Sequence, residues 1–482
     1  MLFNTIDFAI FLPIVFGIYW LVDRLGIKVQ NLVIVIASYY FYGCWDWRFL
    51  SLIAFSTLVD YTVGLALNKE LRPSRRKLLL WVSMLTNLGF LGFFKYYNFF
   101  AESFSQAFTF LGVSMDAARL DIILPVGISF YTFQTMSYTI DVYKRELEPT
   151  RDLVAFTAFV SFFPQLVAGP IERASNLLPQ FYKRREFDYA NAVNGMRQIL
   201  WGLFKKVVIA DNCAQFANEI FNNSGDYSGS TLFMGALFFT FQIYGDFSGY
   251  SDIAIGTSRL FGFNLMQNFA FPYFSRDIAE FWRRWHISLS TWFRDYLYIP
   301  LGGSRGGTWM KVRNTFIIFV VSGFWHGANW TFLIWGFLNA VYFLPLLLTK
   351  RNRHNLGVVA EGRILPSLRE VLQMGLTFFL TVVAWVFFRA ESLGHAIDYL
   401  QGMFRHPGSY LLLSNYFDYQ NILNLIVLFM MVEWLGRKGQ YAIEGLDYFL
   451  KNRVLRWGIY LIIAITVFLY SGEKQEFIYF QF

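Results

Sequence analysis

Long apolar stretches follow one another along most of the chain, and short polar or basic loops separate them. They approach the length of a membrane helix and lie at about residues 8–22, 31–43, 49–67, 78–98, 122–140, 153–168, 194–210, 231–245, 313–325, 329–348, 371–388, 420–435 and 456–470. Several are shorter than the roughly 20 residues that a full crossing needs. We therefore expect an all-α integral membrane protein with about eleven transmembrane helices, together with re-entrant and interfacial helices.

The positions of the basic residues predict the orientation in the membrane. The first basic residue, Arg24, follows the apolar run 8–22, which is the reverse of the order in a cleavable signal peptide. By the positive-inside rule, the N-terminus is expected outside the cytoplasm and residues 23–28 inside. Three further basic loops are also expected in the cytoplasm, at 69–77, 144–151 and 350–353.

Segment 153–168 lies between two basic loops, so it is expected to return to the side from which it enters. Pro164 and the pair Gly169-Pro170 provide the helix breaks that such a bend requires. Irregular backbone at membrane depth is tolerated only where it is buried in protein or lines a cavity. We therefore expect a central funnel or tunnel. The sequence has no fixed-period repeat and no low-complexity linker, which predicts a single membrane domain over residues 1–482.

The composition agrees with a lipid environment. Hydrophobic residues make up 56% of the chain, aromatic residues 21% and charged residues 15%, whereas soluble proteins have roughly a quarter charged residues. Cys44 and Cys213 are too few for a disulfide framework and lack metal-ligand spacing, so no metal site is expected. We expect membrane lipid, and no nucleic acid, as a partner.

A long polar stretch, residues 242–313, interrupts the apolar pattern. Trp and Tyr recur in it every three or four residues between charged residues, which is typical of helices at the membrane interface. Its basic residues predict a cytoplasmic face that either contacts phospholipid headgroups or binds an anionic donor, such as a coenzyme A or phosphopantetheine thioester. Arg283, Arg284 and Arg305 are the substrate-binding candidates on this face.

Two of the five histidines are candidates for chemistry. His326 lies in an otherwise apolar segment, where an ionisable group is costly and indicates a function, the alternative being a structural histidine hydrogen-bonded between helices. His286 follows two arginines, and a structural role is equally open for it. The two imidazoles suit a base and an orienting group for acyl transfer near neutral pH. Among the others, His354 and His406 are expected to be solvated, and His395 to begin a peripheral helix.

Other catalytic classes lack their residues in this sequence. Two histidines without a cysteine cluster or an H-E-x-x-H motif are too few for a zinc site. A Gly-x-Ser-x-Gly motif, which a serine hydrolase of the α/β class would carry, is absent from the sequence.

Several motifs occur together as they do in a known family, and the core ones lie at about residues 120–345. FWRRWHISLSTW at 281–292 and FWHG at 324–327 resemble the membrane-bound O-acyltransferases. FPQLVAGPI at 163–171 and YGDFSGYSD at 244–252 are similar to the bacterial branch that includes the alginate O-acetyltransferase membrane protein and the D-alanyl-lipoteichoic acid transporter-like protein. The terminal motifs resemble the alginate-type members in particular, LFN at 2–4 and FIYF at 477–480.

The resemblance implies a ring of helices around a funnel that is thin in the middle, with the family's histidine, here His326, near its base. His326 is then expected to take the proton from the hydroxyl that attacks the thioester carbonyl, and His286 to orient the donor or acceptor. Asn329 and Ser322 lie about one helical turn from His326 and are candidates to hold its other ring nitrogen, provided that the segment is helical there. Trp325 is a further substrate-binding candidate.

The expected function is that of a membrane O-acyltransferase moving an acyl group, above all acetyl, from a cytoplasmic thioester to a hydroxyl. The resemblance implies acetyl-CoA or an acyl carrier protein thioester as the donor, no tightly bound cofactor, and a polysaccharide acceptor that is exported or on the cell surface, as in alginate-like biosynthesis. It also implies the bacterial inner membrane and a secreted or membrane-anchored acetyltransferase partner. The alternatives are a transporter or channel with a histidine proton relay, and a non-catalytic scaffold of an export complex.

Overall fold

The computed structural model describes residues 1–110, 119–405, 416–472 and 475–478. Over these residues the regular elements are helices, without a strand, which confirms the all-α class. Two compact units can be distinguished, one of Met1–Ala192 with Thr257–Leu265, and one of Val193–Gly256 with Met266–Phe482. The single domain over residues 1–482 stays a prediction.

The first nine helices belong to the first unit within the described residues. They are α1 (Ile6–Leu21), α2 (Ile27–Asp46), α3 (Leu50–Lys69), α4 (Pro73–Leu91), α5 (Tyr97–Phe110), α6 (Ile128–Lys144), α7 (Leu153–Ser161), α8 (Phe163–Leu166) and α9 (Ala174–Leu177). A π-helical turn, Gly92–Tyr96, joins α4 to α5. α1 begins after Thr5, whose side chain accepts a hydrogen bond from the backbone amide of Phe8.

The remaining helices follow in chain order. They are α10 (Tyr189–Leu203), α11 (Asp211–Asn222), α12 (Gly229–Leu260), α13 (Ile278–Arg284), α14 (Ile287–Phe293), α15 (Thr308–His326), α16 (Trp330–Leu348), α17 (Leu368–Arg389), α18 (Leu393–Arg405), α19 (Tyr416–Gly436), α20 (Leu446–Phe449) and α21 (Arg453–Leu469). π-Helical segments follow α10, at Phe204–Ala210, and α14, at Arg294–Tyr298.

Five helical stretches of the described residues are long and apolar enough to cross a membrane: Ile27–Lys69, Pro73–Phe110, Trp330–Leu348, Leu368–Arg389 and Tyr419–Gly436. The shorter apolar helices Ile6–Leu21 and Leu153–Leu166 lie where the sequence predicts the first span and the re-entrant segment. The helices therefore agree with a multi-pass membrane protein. The number of about eleven spans, and the funnel between them, stay predictions.

Two helices differ from the predicted segments: one begins later than predicted, and the other is broken in its middle. The helix expected over 122–140 begins only at Ile128, because Gly127 adopts a left-handed conformation with φ 73° immediately before it. The segment 153–168 breaks at Phe162, between α7 and α8, where the backbone has φ −50° and ψ 103°. Pro164 lies in the first turn of α8, so the break falls where the sequence predicts one.

The polar stretch that begins at residue 242 is not interfacial in its first part. α12 continues through it to Leu260, and its acidic side chains are buried within the second unit. Lys206 Nζ lies 2.7 Å from Asp246 Oδ1, and Lys205 Nζ lies 2.6 Å from Asp252 Oδ2. The interfacial prediction is wrong here because lysines of Phe204–Ala210, rather than water, neutralise these carboxylates.

A buried polar cluster joins α3, α4 and α6 of the first unit. Asp60, which is completely buried, accepts hydrogen bonds from Asn87 Nδ2 at 2.9 Å, from Thr139 Oγ1 at 3.0 Å and from the Ser83 hydroxyl. Apolar side chains gain little by leaving lipid for a helix interface, so hydrogen bonds between helices contribute to their association.

α15 and α16 form a helical hairpin with close backbone contact. A Cβ atom added to Gly323 would collide with the carbonyl oxygen of Phe332, and one added to Gly336 would collide with the carbonyl oxygen of Phe319. The two glycines therefore allow the helices to approach closely, as small residues do in membrane helix pairs. This hairpin fixes the end of α15, where His326 lies.

Candidate active site

His326 is the last residue of α15 and is enclosed by aromatic rings. Only 3% of it is exposed, and its ring centroid lies 5.1 Å from that of Trp335 and 5.2 Å from that of Phe388. The next residue is Gly327, where a Cβ atom would collide with the ring of Phe332. The chain thus turns away from the imidazole at a position that has no room for a side chain.

His286 lies between α13 and α14 in a left-handed conformation with φ 43°, which is unusual for a residue with a side chain. Its Nδ1 lies 3.1 Å from Asn268 Oδ1. The same oxygen accepts a hydrogen bond from the Ser288 hydroxyl at 2.9 Å, and Asn268 Nδ2 donates to the Ser251 hydroxyl at 3.1 Å. These bonds make Oδ1 the acceptor, and they place the proton of a neutral His286 on Nδ1.

The other ring nitrogen of His286, Nε2, is buried and has no hydrogen-bond partner among the described residues. Burial lowers the pKa of the His286 imidazole from 6.5 to about 3 at this position, which lies outside the candidate membrane-spanning helices. At neutral pH the ring is therefore uncharged, and the lone pair of Nε2 is available to accept a hydrogen bond or a proton.

Trp325 brings the two histidines into one cluster. Its ring centroid lies 4.9 Å from that of His326 and 6.0 Å from that of His286, and its side chain is buried. The sequence predicts that both histidines belong to one site, and the structure brings both imidazoles close to this single indole.

A cavity of about 390 Å³ lies beside this cluster in the second unit. It follows one face of α15, from Lys311 past Thr315 and Ile318 to the buried Ser322, a length of roughly 16 Å at the rise of an α-helix. Aromatic and aliphatic side chains such as Phe319 and Phe343 form much of its wall.

The inner part of the cavity approaches both histidines without including them. Ser322 lies four residues before His326 on α15, which is about one helical turn. Leu289 lines the same cavity from α14, three residues after His286. The two imidazoles are therefore close to the inner end of the cavity, and neither is among its lining residues.

Four basic residues line the outer part, which we call the basic rim: Arg294, Lys311, Lys350 and Arg353. Lys350 and Arg353 are exposed, and so is 59% of the Arg294 side chain, which pairs with Asp295. Lys311, Lys350 and Arg353 form no ion pair with the described acidic residues. Their positive charges are thus available to attract an anionic group at the mouth of the cavity.

The sequence signal for the basic rim is partial. Arg294 and Lys311 belong to the predicted basic face, but residues 350–353 are read from the sequence only as a loop that sets the orientation. The spacing of these residues in the sequence does not show that Lys350 and Arg353 line the same cavity as Lys311. They meet there only because α15 and α16 form a hairpin.

Arg283, Arg284 and Arg305 do not line this cavity. Arg283 donates to the carbonyl oxygens of Asn352 and Asn355, at 2.8 and 2.7 Å. Arg284 pairs with Glu280 at 2.9 Å, and Arg305 is exposed on the loop after α14. Arg283 and Arg284 therefore hold segments of the protein together, and their contacts indicate a structural role rather than substrate binding.

Asn329 does not lie on the same helix as His326, because α15 ends at His326. Its Oδ1 accepts a hydrogen bond from the backbone amide of Thr331 at 3.1 Å, and its Nδ2 donates to the carbonyl oxygen of Glu391 at 2.9 Å. The condition for its predicted contact with the imidazole is thus not met, and its side chain caps the N-terminus of α16.

The remaining histidines lie away from this cluster or outside the description. His354 is exposed in a loop, His395 lies in the first turn of α18, and His406 lies outside the described residues. In the described part of the chain, no group of three or more His, Cys, Asp or Glu side chains is arranged to hold a metal ion.

Comparison with known proteins gives matches along most of the chain. A sequence profile of the membrane-bound O-acyltransferase family matches residues 38–384. The chain is 43% identical over 408 residues to the probable alginate O-acetylase of Pseudomonas aeruginosa, over 84% of this chain and 75% of that protein. It is 37% identical over 432 residues to the peptidoglycan O-acetyltransferase of Helicobacter pylori, over 84% and 80%. It is 30% identical over 227 residues to the teichoic acid D-alanyltransferase of Bacillus subtilis, over 45% and 57%.

Proposed function

This chain belongs to the membrane-bound O-acyltransferase family, as its motifs predict, and from this membership we propose the reaction that it catalyses. It is an O-acetyltransferase that moves an acetyl group from a cytoplasmic thioester to a hydroxyl of an exported or cell-surface polysaccharide. The relatives named for the O-acetylation of alginate and of peptidoglycan support both the acetyl group and the polysaccharide acceptor.

The observation that carries this proposal is the cavity with its basic rim and its inner end beside two buried imidazoles. Acetyl-CoA and an acyl carrier protein present the same chemistry, a phosphate at one end of a pantetheine arm and a thioester at the other. The phosphate lies at the basic rim, where Lys311, Lys350 and Arg353 attract it. The arm follows α15 inward, and no tightly bound cofactor is required.

The reaction is a direct transfer at the inner end of the cavity. The acceptor hydroxyl attacks the thioester carbonyl carbon, and His326 takes the hydroxyl proton as the new C–O bond forms. The C–S bond then breaks, and the proton passes to the leaving thiolate. His286 orients the reacting groups through Nε2, which has no hydrogen-bond partner among the described residues, while Asn268 fixes its ring.

The finer architecture and the partners are part of the same proposal. About eleven membrane-spanning helices surround a funnel in the bacterial inner membrane, with the N-terminus outside the cytoplasm. A secreted or membrane-anchored acetyltransferase is the partner of this chain in the modification of the polysaccharide. The basic loops and the family membership support this orientation and location.

Replacement of His326 by alanine tests the proposal. The purified protein in proteoliposomes is given acetyl-CoA and an alginate oligosaccharide, and thiol release and O-acetyl formation are both measured. The loss of a general base is expected to lower the transfer rate by about 10²- to 10⁴-fold. His354→Ala, at an exposed loop position, is the matched control and is expected to retain full activity.

The same assay separates the alternatives. A transporter or channel would move a substrate without consuming the thioester, whereas an acetyltransferase consumes one thioester for each O-acetyl group formed. A scaffold would tolerate the double replacement of His326 and His286. Full acetylation by folded and membrane-inserted His326→Ala protein would overturn the catalytic assignment.

A further inference from the structure

Trp282 forms part of the cavity wall and is linked to His326 through one further indole. Its indole lines the cavity, and its ring centroid lies 5.6 Å from that of Trp335. Trp335, which is 1% exposed, in turn lies 5.1 Å from the ring of His326. Two indoles in contact therefore link the wall of the cavity to the imidazole.

A hydrogen bond holds the Trp282 indole in this position. Its Nε1 donates to Asn339 Oδ1 at 3.2 Å, and Asn339 Nδ2 donates to the carbonyl oxygen of Trp335 at 2.8 Å. Asn339 is 3% exposed, and a buried amide is tolerated when it is hydrogen-bonded. The ring of Phe319 contacts the same indole with a centroid distance of 5.4 Å.

Resting on the proposed function, we propose that Trp282, braced by Asn339, determines the size of the acyl group that the enzyme accepts. The donor thioester extends along α15 toward Ser322, so the acyl carbon chain ends against the indole. A packed protein interior yields little, and each methylene group that meets such a wall is discriminated by about 10- to 200-fold. The indole therefore leaves room for an acetyl group and excludes longer chains.

The test compares acyl donors of increasing length in the same protein. The full chain in proteoliposomes is given acetyl-, butyryl- or hexanoyl-CoA with an alginate oligosaccharide, and kcat/KM is measured from thiol release and ester formation. Wild-type protein is expected to prefer acetyl-CoA. Trp282→Ala is expected to raise the butyryl-to-acetyl ratio of kcat/KM by at least about 10-fold, since it removes the wall. Asn339→Leu keeps a similar side-chain volume without the hydrogen bond and is expected to give a smaller rise.

Two control variants distinguish a local wall from a general change. Leu347→Ala enlarges the cavity near the basic rim, three residues before Lys350, and is expected to leave the ratio unchanged. Trp457→Ala removes an indole that is 72% exposed on α21, and both the ratio and the acetyl activity are expected to be unchanged. If Trp282→Ala does not fold, Trp282→Phe takes its place, with a smaller expected rise in the same ratio.

The outcomes separate this inference from the function on which it rests. Absence of acetyl transfer by wild-type protein, or transfer that survives His326→Ala, would overturn the proposed function. Transfer that depends on His326, with an unchanged acyl ratio in the folded Trp282 variant, would overturn only the role of Trp282. An equal rise of the ratio in Leu347→Ala would overturn it as well.

Discussion

Replacement of Lys311 and Lys350 by alanine is expected to weaken donor binding, whereas replacement of Arg305 is not. The two lysines line the cavity along α15 and after α16, where an anionic phosphate would meet them. Arg305 lies nearby in the sequence, on the same predicted basic face, but it does not line the cavity. The comparison therefore tests whether the basic charge acts at defined positions or only as a diffuse surface field.

The expected size follows from the partial exposure of the two lysines. A solvent-exposed ion pair contributes about 0.2–1 kcal/mol, so two such pairs contribute at most about 2 kcal/mol. The double replacement of Lys311 and Lys350 should then raise the KM for the donor by roughly 2- to 30-fold. The effect should shrink as the salt concentration rises, because ions screen exposed charges within about 8–10 Å. The kcat should change little, since neither lysine contacts either imidazole.

Initial rates of thiol release measure this effect in proteoliposomes over a range of acetyl-CoA concentrations, at low and at high salt. Arg305→Ala is the matched control, because it removes the same charge from the same side of the chain. An equal rise of KM in Arg305→Ala would show that the charge acts diffusely. An unchanged KM in the lysine double variant would show that the donor does not bind at the basic rim.

Two further predictions concern stability. An unfolded histidine binds its proton below about pH 6.5, whereas the folded His286, with its pKa lowered to about 3, stays neutral, so stability falls as the pH falls from 6.5 toward 3. Between pH 6 and 4.5 the free energy of unfolding, measured by thermal unfolding in detergent, should fall by about 2 kcal/mol less in His286→Asn than in wild type. Equal pH profiles of the two proteins would contradict the buried neutral ring. Gly323→Ala forces a Cβ atom against the backbone of α16 and should lower the free energy of unfolding by about 1–3 kcal/mol. Gly375→Ala is the control, because Gly375 has open space around it in α17, and it should not lower this free energy. Equal effects of the two replacements would refute the close contact in the hairpin.

The two histidines illustrate how far the sequence leads. An imidazole in an apolar segment and a second one beside two arginines are visible without a structure, and their motifs identify the family. The sequence does not show that both imidazoles lie close to Trp325, nor that Asn268 contacts Nδ1 of His286. Asn268 is separated from His286 by 18 positions, and only the folding of the intervening segment brings its amide to the ring.

The arginines show what sequence reasoning leaves out. Arg283 and Arg284 lie in the family motif and carry the right charge for a donor, yet the loop after α16 and Glu280 occupy their guanidinium groups. The sequence does not reveal which group a basic side chain contacts, and a carbonyl or carboxylate group of the protein competes with any ligand for it. The same reason explains Asp246 and Asp252, which look interfacial in the sequence and are paired with buried lysines.

The sequence by itself determined the lipid environment, the all-helical class, the family and the two candidate histidines, His286 and His326. Those properties depend on composition, on the length of apolar runs and on short motifs, which are all local along the chain. Only the tertiary structure decided which cations line the cavity, which nitrogen of His286 has no hydrogen-bond partner among the described residues, and which indole of the cavity wall contacts Trp335. These depend on contacts between segments that are distant in the sequence, and charge or hydropathy along the chain carries no information about which segments meet.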